Sequence, residues 1–166
     1  NCVFVGSDRA KILIDAGKSA KAAGLIKNGI DAAEINRLLF DTKSPARLHA
    51  EKVGLDNLSL FMDFRVAAVA LDYDEIERFG VDHEEFDAFI DAARCVEGAE
   101  VAFSVRRPSP DEAFRVSMRS MSDVDVSLIC AAFGGGGHIK AAGCSINAAT
   151  KEEAVEAILT EIAKQL

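Results

Sequence analysis

Two stretches of this chain carry residue types that could hold an anion. "AFGGGGHIKAAG", residues 132–143, sets four consecutive glycines before a histidine and a lysine. Glycine has no Cβ and takes positive φ, so a glycine run can bring several N–H groups close to a phosphate. Gly134, Gly135, Gly136 and Gly137 would supply that backbone, His138 a titratable donor and Lys140 a cation. "AFRVSMRS", residues 113–120, alternates with period two. On a strand, Phe114, Val116 and Met118 would face the core and Arg115, Ser117 and Arg119 the other side. Guanidinium forks flanking a hydroxyl suit phosphate oxygens. The plain alternatives are a solvated strand face for the second stretch and a flexible hinge or linker for the first. The apolar flanks "CAAF" and "AAGC" speak against a linker.

Other polar clusters have simpler readings. "VDHEEFD" gathers Asp82, His83, Glu84 and Asp87, and "LDYDEIE" sets Asp72 and Asp74 just after an apolar run. Both read as helix starts: Asp82 with Glu85 forms a capping box, and carboxylates favour the first turn of a helix. His49 is expected to be packed or exposed without a role. No three or four residues stand at metal-ligand spacing, and no nucleophile–base arrangement can be drawn.

The elements that must position these residues follow from pattern. "VFVGSDRAKILID" reads as two short strands around a Gly-Ser-Asp turn. Helices are expected over 19–30, over 31–42 with an Asp31–Glu34 capping box, and from Ser44-Pro45 onward. From about residue 58 strands and helices mix. "FRVAAVAL" is an apolar run expected to be buried on both faces, and "DHEEFDAFIDAARCV" is helical with Phe86, Phe89, Ile90 and Ala93 as its stripe. "EVAFSVRR" and "AFRVSMRS" are period-two strands, "VDVSLICAAF" a short helix and "AAGCSIN" a last strand. A closing helix opens on a Thr150–Glu153 capping box. The expected fold is α/β, a mixed sheet with flanking helices over 58–166. A helical linker over 18–57 and a short hairpin over 1–17 precede it.

Composition narrows the function classes. The 166 residues carry a net charge of −8, which argues against wrapping long nucleic acid and makes any phosphate binding local. No apolar run approaches the roughly 20 residues a membrane span needs. The N-terminus shows neither a secretory signal nor an initiator Met. Cys2, Cys95, Cys130 and Cys144 are far apart with no C-x-x-C pair, as expected of a reducing cytoplasm.

Taken in order, S-x-R-S (Ser117 to Ser120), V-D-V (124–126), F-G-G-G-G-H (133–138) and A-A-G (141–143) resemble the DHHA1 domain. This is the substrate-binding half of the DHH phosphoesterase superfamily. "INRLLFDTKSPARL" and "CVEGAEVAFSVRR" are further similar to its branch of nanoRNA exonucleases and pAp phosphatases, the likeness covering roughly residues 20–166. The resemblance implies that Ser117, Arg119, Gly134, Gly135, Gly136, Gly137 and His138 contact phosphate and nucleotide. Arg115 shares their face outside the matched motif. It also implies a separate DHH catalytic domain, in cis or in trans, holding two Mn²⁺. The motif of that domain is absent here, so this chain is expected to bind no metal and to be inactive alone. Residues 1–17 faintly resemble the first hairpin of a metallo-β-lactamase fold, without its metal motif.

The leading expectation is therefore the part of a cytoplasmic, manganese-dependent hydrolase that binds short oligoribonucleotides or phosphoadenosine nucleotides. The alternative is a stand-alone RNA- or nucleotide-binding module, akin to the DHHA1 module of alanyl-tRNA synthetases. A third reading is an oligomerisation domain that keeps the glycine loop as a relic; a homodimer is a separate expectation.

Overall fold

The computed structural model of the chain describes residues 2–7, 10–15, 33, 37 and 41–166, the first two segments by their backbone. The chain divides into two compact units, residues 1–44 and 45–166. In the first, β1 (Cys2–Ser7) pairs antiparallel with β2 (Ala10–Asp15), Cys2 opposite Asp15 and Ser7 opposite Ala10. β1 thus continues through Gly6 and Ser7, two of the residues expected in the turn. The helices expected over 19–30 and 31–42 fall almost wholly outside the described residues.

The second unit runs α1 (Pro45–Asp56), β3 (Leu58–Phe61), β4 (Val66–Leu71) and α2 (Tyr73–Phe79). After a 3-10 turn (His83–Glu85) come α3 (Asp87–Arg94), β5 (Val101–Arg106) and β6 (Phe114–Ser120). It ends with α4 (Val126–Ala131), β7 (Gly136–His138), β8 (Ala141–Ile146) and α5 (Lys151–Ile162). Its sheet has the order β3-β4-β5-β6-β8-β7. Only β4 and β5 are parallel, joined by the crossover through α2 and α3; the remaining pairs are antiparallel. This is an α/β fold with a mixed sheet and flanking helices. No helix among the described residues is long and apolar enough to cross a membrane.

The two faces of the sheet are covered unequally, and that asymmetry makes the site. One face carries Val66, Val101, Phe103, Val105, Phe114, Val116, Met118 and Ile146 beneath Ile129 of α4 and Ala154, Ile158 and Ile162 of α5. The other packs Ala67, Val69, Leu71 and Ala102 under Ala50 and Val53 of α1 and Phe89, Ile90 and Ala93 of α3. No residue of β6, β8 or β7 joins that second core. The helical layer therefore stops at β5, and the outer half of this face is open.

Several local outcomes differ from the pattern-based expectation. α1 belongs to the compact unit rather than to a linker ending at residue 57. A Cβ on its Gly54 would stand 3.2 Å from the Cβ of Ala92, so α1 and α3 touch closely. Arg47 secures the contact through Glu51 at 3.0 Å, Glu85 at 3.5 Å and Asp91 at 2.5 Å. Glu85 is thereby spent on Arg47. Asp82 caps the Glu84 N–H at 3.0 Å, and the helix proper begins only at Asp87. β5 is buried on both faces through Val105, because Ala102 and Ser104 lie beneath the helical layer. The Asp72–Glu75 capping box starts α2, so that carboxylate cluster is a helix start, as expected.

Candidate functional site

Register determines which side chains share the open face. In antiparallel pairs, residues directly opposite project to the same side. Arg119 of β6 stands opposite Ala141 of β8, and Ala141 opposite His138 of β7. One step along, Ser117 faces Gly143, and Gly143 faces Gly136. One step further, Arg115 faces Ser145 on β8 and Arg106 on β5. Three rows thus line the open half. One has cationic or donor side chains at both ends of an alanine, one is nearly without side chains, and one carries two arginines. The structure brings Arg115, Ser117, Arg119, Gly136 and His138 to one side of the sheet.

The polar groups here have few internal partners. Arg119 is half-buried, and its Nη1 donates to the Met118 carbonyl at 2.8 Å. Among the described residues no carboxylate lies within ion-pair distance of it. His138 is exposed, and the Lys140 N–H donates to its Nδ1 at 3.2 Å. A nitrogen that accepts carries no proton, so the neutral ring bears its proton on Nε2. A donor is present there without any positive charge on the ring. Adjacent strands lie about 4.8 Å apart, which separates Arg119 from His138 by about 10 Å. The small Ala141 leaves the space between them open. Lys140 is engaged elsewhere, its ammonium donating to the Ser122 carbonyl.

The glycine run divides by role. Gly134, at φ +73°, ends α4 in a Schellman motif: its N–H donates to Ala131 at 3.0 Å and that of Gly135 to Cys130 at 2.9 Å. These two N–H groups are taken up by the end of the helix. A Cβ on Gly135 would meet the Gly143 carbonyl at 2.3 Å, and one on Gly137, at φ +149°, the Ala141 carbonyl at 2.6 Å. Gly136 differs. Its φ is not positive, and a Cβ there meets nothing within 4 Å. The fold accounts for Gly134, Gly135 and Gly137; it does not account for Gly136, whose bare side faces the open row of Ser117.

Asp125 sets the loop from the other end. Its carboxylate accepts from the Ser127 hydroxyl at 2.5 Å and from the N–H groups of Ser127 at 2.9 Å and Leu128 at 3.3 Å, capping α4. The Ser127 hydroxyl foremost, then these N–H groups and the nearby His138, hold its carboxyl below the usual range. Among the described residues no three His, Cys, Asp or Glu side chains gather to hold a metal ion.

Arg106 is the residue that sequence reasoning missed. It ends β5 half-buried, its guanidinium 4.5 Å over the Phe86 ring. Burial first, and then the Arg115 charge, disfavour its cationic form. Its signal in the sequence was faint, since a terminal arginine of a buried strand looks like any strand end. Arg115 is exposed and pairs with Glu112 at 3.1 Å. A hollow of about 550 Å³ lined by Phe61, Ala68, Val155 and Leu159 lies on the opposite side of the sheet and contains none of these residues.

Residues 64–166 match the family model of the DHHA1 domain. Over 146 residues the chain is 30% identical to the bifunctional oligoribonuclease and PAP phosphatase NrnA of Thermus thermophilus, covering 87% of this chain and 42% of that protein. An exopolyphosphatase-related protein from Bacteroides fragilis superposes with a TM-score of 0.72 at 24% identity, over 90% of this chain and 44% of that one. The pGpG-specific phosphodiesterase PggH from Vibrio cholerae does so at 0.53 and 13% identity, over 91% and 52%. The two structural likenesses are of fold. The chain spans about half the length, or less, of each of these proteins.

Proposed function

This chain belongs to the DHHA1 domain family, and from that membership we propose that its open sheet face is the phosphate-gripping part of a DHH-type phosphoesterase. Its ligands are short oligoribonucleotides or phosphoadenosine nucleotides, and the relative named as an oligoribonuclease and PAP phosphatase supports that class. The observation that carries the reading is the row Arg119–Ala141–His138 beside Ser117 and Gly136. Arg119 offers a planar fork to two phosphate oxygens, Ser117 a hydroxyl that rotates to suit, and His138 its Nε2–H. Gly136 leaves the approach clear. Such contacts orient a substrate phosphate and offset its charge, while the metal chemistry belongs to a DHH catalytic domain supplied in cis or in trans.

The reading is tested by titrating the purified chain with adenosine monophosphate and short RNA by calorimetry. Binding that disappears in Arg119→Ala while the unfolding temperature holds supports it; wild-type affinity in that variant rejects it. With added Mn²⁺ the chain alone is expected to release no mononucleotide from short RNA. Chelator-sensitive release by the pure protein would contradict its role as a binding half.

A further inference from the structure

Arg106 and Arg115 stand at the opposite end of the open face from Arg119 and His138. They are neighbours in one register row. Arg115 lies four positions before Arg119 on β6, about 13 Å at the rise of an extended strand. Each is turned to its own partner, Arg115 to Glu112 and Arg119 to the Met118 carbonyl. Between them lies the row Ser117–Gly143–Gly136, where nothing longer than a serine rises from the sheet. We propose that Arg106 and Arg115 form a second phosphate subsite, so that this face reads the length of its ligand and favours nucleotides carrying a further phosphate beyond the one held by Arg119 and His138.

The environment of Arg106 supports a ligand rather than a structural role. Among the described residues no carboxylate lies within 4 Å of its guanidinium, and it makes no hydrogen bond. The carboxylates whose fields reach it are Asp87 and Glu112, and together they do not outweigh its burial and the repulsion of Arg115. Stacking on Phe86 uses one face of the guanidinium and leaves its N–H edge free to donate. Arg115 gives one nitrogen to Glu112 and keeps further donors. A phosphate between the two arginines would relieve their mutual repulsion and supply both with an acceptor.

This inference rests on the phosphate-gripping reading above, and its test separates the two. The full chain is titrated with adenosine monophosphate, pApA and pApApA, for wild type, Arg106→Ala, Arg106→Lys, Arg115→Ala and Arg119→Ala, with thermal unfolding recorded for each. Wild type is expected to tighten by roughly ten-fold or more from the monophosphate to the longer ligands, the value of a charge-assisted contact. Arg106→Ala and Arg115→Ala should lose that gain while keeping the monophosphate affinity. Their salt dependence for pApApA should become shallower by about 0.7 in log–log slope per lost contact. Arg106→Lys keeps charge without the fork or the full stack, and should recover part of the gain. Equal affinity of wild type for all three ligands overturns the second subsite and leaves the first standing, as does a length gain that survives in Arg115→Ala, an exposed site whose folding is not at stake. If wild type binds none of the three, both readings fall.

Discussion

Arg119 and His138 stand at the two ends of one register row, separated by Ala141 on the strand between them. Three strands are needed to make that row. β6 arrives from a hairpin with β5, β8 inserts beside it, and the short β7 adds itself to the outer edge. The row faces the half of the sheet that the helical layer over β4 and β5 does not reach, so its side chains meet solvent instead of a core.

Arg119→Ala should weaken nucleotide binding by roughly ten- to a hundred-fold, the value of a charge-assisted bidentate contact of about 1.5–3 kcal/mol. The fold should tolerate it, because among the described residues the side-chain bond lost is that to the Met118 carbonyl. Arg119→Lys keeps a charge without a fork and should recover the affinity in part. Calorimetric titration of the three proteins decides it, with unfolding temperature as control.

His138→Ala should cost affinity at pH 8 as well as at pH 6. The Lys140 N–H occupies Nδ1, so the donor at Nε2 exists on the neutral ring and does not wait for protonation. If the imidazolium were the donor, the effect would instead depend on pH. Affinity ratios of wild type to variant measured across that range separate the two; a ratio that falls to one at pH 8 restores the imidazolium.

Glu75 and Lys151 join α2 to α5 at 2.6 Å. Burial pushes the Glu75 carboxyl up, yet the Lys151 ammonium and the Asp72 N–H together pull it below its ordinary value. A carboxyl whose folded pKa is depressed stabilises the fold above its unfolded pKa, about 4.3, and that contribution is lost as pH falls through the lower folded value. Lys151→Met should therefore lose about 1 kcal/mol at pH 7. It should also show a shallower loss of stability than wild type on acidification below pH 4. Urea unfolding at pH 7, 4 and 3 measures both; parallel curves for the two proteins would remove the pair from the account.

Most of the second unit was legible because its residues obey one period at a time. Phe114, Val116 and Met118 on β6 and the stripe of α3 each name their buried side from pattern alone. The open face follows from the same alternation, since Arg115, Ser117 and Arg119 had nowhere else to go. β3 and β7 were not legible. β3 is four residues long and reverses through Met62, Asp63 and Phe64, all at positive φ and none a glycine or asparagine, so the usual turn signature is missing. β7 consists of Gly136, Gly137 and His138, which have almost no strand propensity; it forms because β8 offers an edge and Gly135 permits the approach. Arg106 stayed hidden for a related reason. Its importance comes from where the helical layer ends, and that is a property of packing.

The glycines give a test in which stability and binding part company. Gly134→Ala places a Cβ at φ +73° in the cap of α4 and should cost about 1 kcal/mol. Gly135→Ala and Gly137→Ala drive a Cβ into the backbone of β8, at 2.3 Å and 2.6 Å from carbonyl oxygens. Each should cost about 1–3 kcal/mol or displace β7 altogether. Gly136→Ala meets no atom within 4 Å and needs no positive φ, so its unfolding temperature should equal or slightly exceed wild type. The glycine there is explained only if something other than the protein comes close. A methyl group on that spot stands in the open row beside Ser117 and Gly143, where a bound phosphate or sugar would have to lie. Gly136→Ala should therefore lose nucleotide affinity while folding normally, and Gly136→Val should lose more. Wild-type affinity in both variants would mean that the ligand does not rest on this row, and the site would have to be sought away from β7.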